Sequence, residues 1–329
     1  MKPLQGKIAL VTGASRGLGK GIAIGLAEAG ATIYLTGRTL EAAGEEVSDE
    51  QRLGNLVATQ KAVEDAGGVG IPVRVDHGDD EQIRQLFDRI QDEQQGQLDI
   101  LVNNAYSGVS SLRATYGKPF WESEPSLWDK VNHVGLRSHY ITSVYAARMM
   151  VPRKQGAIFT LSSWGGLFPV FGAVYGVGKT GCDRLALELA LELKSHNITS
   201  LSVWPGIVGT EQFIQFFQEQ DSAPTPEPQG NPFGDGYNWE TPLLAGRVIA
   251  CLAADPGIIK RTGKVHIVAE EARRYGVVDK EGNQPASLRS LRFILPLLIP
   301  QLRSYSTWVP NLHIPWRALA AFVLQSPQV

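Results

Sequence analysis

Over the first two-thirds of the chain, short apolar runs alternate with longer stretches whose apolar positions recur every three or four residues. The short runs predict buried strands at 8–11, 32–36, 71–75, 98–102, 157–161, 199–203 and 265–268. The longer stretches predict helices at 17–29, about 49–66, 81–94, 131–150, 173–194 and 243–253. Ile83, Leu86, Phe87 and Ile90 fall on one face of the third helix, and Gly30 stops the first. Strand, helix, strand at this spacing means parallel βαβ units. The predicted fold class is therefore α/β, a doubly wound parallel sheet of Rossmann type, seven strands, with helices on both faces.

The predicted domain spans residues 1–268. Its periodicity lapses between 210 and 240, where a short helix at 211–218 gives way to a stretch holding Pro224, Pro226, Pro228, Gly230, Pro232, Gly234 and Gly236. A loop of that length in a compact domain suits a lid over a substrate. Residues 269–329 form a C-terminal extension with an apolar run, Phe293 to Pro300, followed by Trp308, Trp316 and Phe322. It is expected to pack on the domain or on a partner subunit, ahead of a peripheral membrane contact through interleaved Trp and Arg.

Charge narrows the classes. Thirty-one basic residues against 33 acidic ones leave −2 overall, with no basic run, so nucleic acid is not an expected partner. Cys182 and Cys251 are too few for a disulfide framework, which points to a reducing, cytoplasmic setting. The apolar run at 8–11 is too short for a signal peptide, and no stretch reaches the ~20 apolar residues that span a bilayer. His77, His133, His139, His196, His266 and His313 show no metal-ligand spacing, so no metal is expected.

Thr12-Gly13-Ala14-Ser15-Arg16-Gly17-Leu18-Gly19 joins the first strand to the first helix. Small residues there let backbone N–H groups at a helix N-terminus approach a pyrophosphate. The spacing is G-x-x-x-G-x-G rather than the commoner G-x-G-x-x-G. At the end of the second strand, where an acidic residue would hold the ribose 2′-hydroxyl of NAD, stand Gly37, Arg38 and Thr39. Arg38 and Arg16 suit a 2′-phosphate, so NADP(H) is expected ahead of NAD(H).

Tyr175 and Lys179 lie four residues apart on a predicted helix and so share a face. An ammonium there stabilises phenolate and makes the tyrosine a usable proton donor or acceptor. Ser162 and Ser163 end the fifth strand, on the carboxyl edge where such sheets bind ligands.

These motifs resemble the short-chain dehydrogenase/reductase family. The matching elements run from Thr12 to Lys264: the glycine turn, Asp76, Asn103-Asn104-Ala105, Asn132, Ser163, Tyr175, Lys179, and Pro205-Gly206 followed by Thr210. The resemblance implies that Tyr175 is the general acid/base. Lys179 would bond the nicotinamide ribose and assist Tyr175, Ser163 would orient the carbonyl, and Asn132 would hold a relay water. It places cofactor contacts at Gly13, Ser15, Arg16, Gly17, Leu18, Gly19, Arg38, Asp76, His77, Asn103, Ala105, Pro205, Gly206, Ile207 and Thr210 as well as Tyr175 and Lys179. Asp76 would meet the adenine and Thr210 the carboxamide. A homodimer or homotetramer built on helices 131–150 and 173–194 is implied too.

Three departures from the family pattern stand out. Tyr106 follows Asn103-Asn104-Ala105 where glycine is usual and would narrow the pocket. Gly178 precedes the lysine where serine is usual. The step from Ser163 to Tyr175 is one residue short; Ser162 would restore it, but Gly166 aligns better with Ser163. Tyr106, Tyr116, Phe120, Trp121 and Trp128 follow the fourth strand, where plain packing of the segment is the first reading and an apolar or aromatic carbonyl or alcohol substrate the second. The reading is thus an NADP(H)-dependent oxidoreductase. The alternative is a non-catalytic NADP(H)-binding sensor on the same fold.

Overall fold

The computed structural model describes residues 2–41, 54–215 and 237–319. Seven strands form one sheet: β1 (Ile8–Val11), β2 (Thr32–Gly37), β3 (Val69–Arg74), β4 (Ile100–Asn103), β5 (Gly156–Leu161), β6 (Ile198–Trp204) and a last strand, Val265–Ile267. All pair in parallel in the order β3-β2-β1-β4-β5-β6 and then the last strand. Two short segments, β7 (Ile207–Val208) and β8 (Trp239–Glu240), pair separately, so the last strand is β9.

Alternation along each strand divides the core in two. Ala9, Val11, Ile33 and Leu35 face one side, against α1 (Gly17–Glu28) and α2 (Leu56–Asp65). Ile8, Leu10 and Tyr34 face the other, against α3 (Asp80–Glu93). Both faces being covered, the strands read as near-continuous apolar runs. Each fully buried Leu or Ile contributes roughly 1.5–3 kcal/mol.

After β4 come α4 (Val109–Thr115) and α5 (Leu127–Asn132), then α6 (Ser138–Arg153), with α7 (Ala173–Leu193) between β5 and β6. The continuous helix predicted at 131–150 is instead broken by a π-turn, His133–Arg137. An extra residue in one turn leaves the apolar period on either side intact, so periodicity does not reveal it. The third strand starts earlier than predicted because Val69 already pairs with Thr32.

Helix α8 (Pro242–Ala254) crosses α1 at glycines: a Cβ on Gly25 would lie 2.3 Å from the Gly246 carbonyl carbon. Val268, predicted to end the last strand, instead opens α9 (Val268–Tyr275), whose Val268 and Ala272 enter the first core. In the C-terminal region α10 (Leu291–Leu298) brings Phe293, and the segment before it Leu288, against Ile207. Trp316 packs edge-on against Trp204, with ring centroids 5.8 Å apart. Residues 211–215 are helical; the rest of the predicted lid, 216–236, the segment 49–53 and the end of the tail lie outside the described residues. Among the described residues no helix is long and apolar enough to cross a membrane.

Candidate active site

Because the strands are parallel, the segments after β1 to β6 all emerge on one edge. The turn after β1 is held by Thr12, whose Oγ1 accepts from the N–H groups of Asn104 and Ala105, both at 2.9 Å. Asn104 Nδ2 donates back to the Thr12 and Gly13 carbonyls. Gly13 and Gly17 adopt positive φ, +69° and +52°. A Cβ on Gly13 would lie 2.8 Å from Ala105 Cα, and one on Gly19 would lie 2.1 Å from the Gly13 oxygen. Only glycine allows this close winding. Arg16 is the N-cap of α1, where its side chain does not cap the helix's own N–H groups, and the first turn, with Leu18, carries no acid. The cradle thus has the shape and polarity a pyrophosphate requires.

Arg38 follows β2 at the same edge, and the Gly37 Cα beside it faces Ser15: a Cβ there would lie 3.5 Å from the Ser15 hydroxyl. Both arginines therefore flank one stretch of the edge. After β3, Asp76 accepts from the Gly78 N–H at 2.9 Å. His77 is buried, with Nε2 2.7 Å from Thr36 Oγ1, and burial pushes its pKa down to about 4. At the end of β4 the Asn103 amide donates to Ser143 Oγ at 2.9 Å and accepts from Thr142 Oγ1 at 2.6 Å. Its side chain is thereby committed to fastening β4 to α6.

Ser163 follows β5, and its Oγ lies 2.8 Å from the Tyr175 hydroxyl on α7. Lys179, one turn further, donates Nζ–H to the Leu161 carbonyl at 3.2 Å. Ser162 points elsewhere: its Oγ donates to the Lys179 carbonyl at 2.9 Å. Of the two serines, Ser163 is the one joined to the tyrosine. Asn132, the last residue of α5, donates Nδ2–H to the Val174 carbonyl at 3.3 Å. A Cβ on Gly178 would lie 2.0 Å from Asn132 Oδ1, so the glycine before the lysine is what lets Asn132 approach α7.

Pro205 and Gly206 lead from β6 into Ile207 on β7. Thr210 turns back toward the phosphate turn, with Cγ2 3.4 Å from where a Gly17 Cβ would sit. The residues expected for the cofactor thus follow the carboxyl ends of β1 to β4 and β6, with Asn103 and His77 among them buried and hydrogen-bonded within the protein.

Two residues escaped the sequence reading. Glu240 is 2% exposed, its Oε2 has no partner among the described residues, and burial pushes its carboxyl up to about 7. It sits behind Gly206, whose Cβ would lie 2.6 Å from Glu240 Oε1. No local pattern marks it, since residues 34 positions apart meet there. Asp183 accepts from Ser202 Oγ at 2.5 Å and from Trp204 Nε1 at 2.8 Å, and burial raises its pKa. Its place four residues beyond Lys179 was a usable signal. Tyr106, already marked in the sequence as narrowing the pocket, places its ring centroid 4.9 Å from Lys179 Nζ.

The mouth is lined with aromatics. Phe171 meets Tyr175 edge-on at 5.2 Å, and Tyr116 lies 6.0 Å from Phe171. Of the five aromatics singled out after the fourth strand, Tyr106 and Tyr116 join this wall. Phe120, Trp121 and Trp128 are 69%, 73% and 47% exposed and stand apart from it. No cluster of His, Cys, Asp and Glu able to hold a metal is present among the described residues.

The pattern of the short chain dehydrogenase family matches residues 7–221. Over 294 residues the chain is 42% identical to dehydrogenase/reductase SDR family member 1 of Mus musculus, covering 89% of each chain. It is 32% identical over 214 residues to an NADPH-dependent aldehyde reductase-like protein, chloroplastic, of Arabidopsis thaliana, covering 64% of this chain and 76% of that one. A solved chain from Sinorhizobium meliloti 1021, provisionally assigned as a short-chain alcohol dehydrogenase, superimposes with a TM-score of 0.65. It is 28% identical, with 80% of this chain and 95% of that one covered.

Proposed function

The chain belongs to the short-chain dehydrogenase/reductase family, and from that premise we propose that it is an NADP(H)-dependent oxidoreductase acting on an apolar carbonyl or alcohol. The observation that carries the reading is the 2.8 Å contact between Ser163 and Tyr175, with Lys179 one turn along the same helix. NADPH, when bound, supplies a hydride to the carbonyl carbon, and NADP⁺ takes one in the reverse direction. Tyr175 gives its hydroxyl proton to the carbonyl oxygen as charge builds there. Ser163 donates a hydrogen bond to the same oxygen and fixes its place. Lys179 stabilises the phenolate left behind. Asn132, set against α7 by Gly178, holds a water that relays the proton to Tyr175.

Arg16 and Arg38 favour a 2′-phosphate over a 2′-hydroxyl, in keeping with the description of the Arabidopsis relative. The aromatic wall of Tyr106, Tyr116 and Phe171 favours an apolar substrate. A homodimer or homotetramer packed on α6 and α7, where Tyr140 and Leu191 are exposed, completes the proposal; light scattering on the purified chain tests it.

The experiment is cofactor binding and oxidation, followed by absorbance, against a panel of aromatic ketones and quinones. NADPH is expected to bind at least tenfold more tightly than NADH, and Arg38→Ala to erase most of that preference. Equal affinities in the unaltered protein would overturn the cofactor assignment.

A further inference from the structure

Tyr106 stands where the family pattern has glycine, and the fold has made room for it. Its ring lies in a slot between two glycines. A Cβ on Gly135 would lie 2.5 Å from Tyr106 Cδ2, and one on Gly108 would lie 2.6 Å from the Tyr106 oxygen. Gly135 belongs to the π-turn, so the break between α5 and α6 presents a bare backbone to the ring. The slot fixes the ring's direction. One face meets Lys179 Nζ at 4.9 Å from the centroid, and the ring stands 79° to that of Tyr175 at 6.2 Å. The ammonium also lies 5.9 Å from the Tyr175 ring centroid.

The Tyr106 hydroxyl takes no part. It is buried without a hydrogen-bond partner among the described residues, and burial raises its pKa above the ordinary phenol value. An aromatic face attracts a cation through its quadrupole, and the attraction does not need the hydroxyl.

We propose that Tyr106 is a positioning residue whose ring face holds the Lys179 ammonium in place and so governs how readily Tyr175 releases its proton. The proposal rests on the hydride-transfer reading for its consequence but not for its geometry. With the ring present, the ammonium is held by the Leu161 carbonyl on one side and the ring on another. Without it, the cation spreads over more positions and stabilises the Tyr175 phenolate less.

The other titratable groups facing Lys179 do not supply this control. His139 on α6 is buried and pushed down to about 3, so it is neutral at working pH. Cys182 on α7 is pushed up to about 11 by burial and stays a thiol. Asp183, on the same helix, is occupied by Ser202 and Trp204.

The test is an ultraviolet titration of phenolate in the full-length chain. Each background is measured with and without Tyr175→Phe, and the difference isolates Tyr175. Tyr106→Phe keeps the ring face and is expected to leave the Tyr175 midpoint unchanged. Tyr106→Leu removes the face and is expected to raise the midpoint by roughly half to one pH unit. Tyr106→pentafluorophenylalanine keeps shape and volume but reverses the charge of the face. It is expected to raise the midpoint likewise, and it serves should the leucine variant fail to fold. An unchanged midpoint in the fluorinated variant would overturn the proposal. If Tyr175→Phe alone keeps full turnover, the hydride-transfer reading fails instead, whatever the titration shows.

Discussion

Ser163 Oγ and Tyr175 Oη lie 2.8 Å apart, and the neighbouring hydroxyl of Ser162 is turned away onto the Lys179 carbonyl. Two adjacent serines thus have separate work. Ser163→Ala is expected to lower kcat/KM about 10²–10³-fold with little change in melting temperature, since it removes one donor to the reacting oxygen. Ser162→Ala should cost less than tenfold in rate and about 1 kcal/mol in stability. Steady-state kinetics with thermal melts of both variants separate the roles; a larger kinetic loss for Ser162→Ala would reverse the assignment.

Gly178 is a clearance. Serine at that position, usual in the family, would bring Cβ to 2.0 Å from Asn132 Oδ1. Gly178→Ser is therefore expected to destabilise the chain by about 1–3 kcal/mol and to lower turnover. Adding Asn132→Gly should recover most of the stability but not the turnover. A denaturation series on the two single variants and the double variant tests the coupling. Additive effects would contradict the contact.

Glu240 sets a limit at high pH. Its folded pKa of about 7 lies above its ordinary value of 4.5 because burial penalises the carboxylate. A raised pKa means the folded state holds the proton longer than the unfolded one. Stability from this group is full below pH 4.5 and lost as pH rises through 7. Glu240→Gln removes the charge, so it is expected to gain on the order of 3 kcal/mol over the parent at pH 8 and little at pH 4.5. Urea midpoints at the two pH values check this; an equal gain at both would show that charge is not the cause.

His77 and His139 set the opposite limit. Burial lowers them to about 4 and about 3. The unfolded chain takes up protons near pH 6.5 while the folded one does not, so stability is present above 6.5 and falls below it. Between pH 7 and pH 5 each is expected to cost about 2 kcal/mol. His77→Gln should flatten that fall by its own share, read from urea midpoints across the range. An unchanged slope would mean that His77 is already charged in the folded state.

Much of this was legible in the chain. Strand runs such as Ile8–Val11 and the Tyr175–Lys179 spacing are local signals, and local signals report on local geometry. What was not legible depends on meetings between distant segments. The π-turn at His133–Arg137 leaves the flanking apolar period intact. Tyr106 looked like an obstruction, because nothing in its own segment shows that Gly135 recedes to admit it. Glu240 reaches Gly206 only when β8 pairs with β7. The Ser162–Ser163 ambiguity was a question of which way two side chains point, and backbone pattern does not encode that.

The central claim is that Tyr175 is the proton donor for hydride transfer. It is tested most directly by the rate of NADPH oxidation in Tyr175→Phe at saturating ketone, with NADPH affinity measured separately by fluorescence. The account predicts a fall of about 10²–10⁴-fold in turnover with NADPH affinity unchanged. Turnover at the parent rate, with cofactor bound equally well, would contradict it.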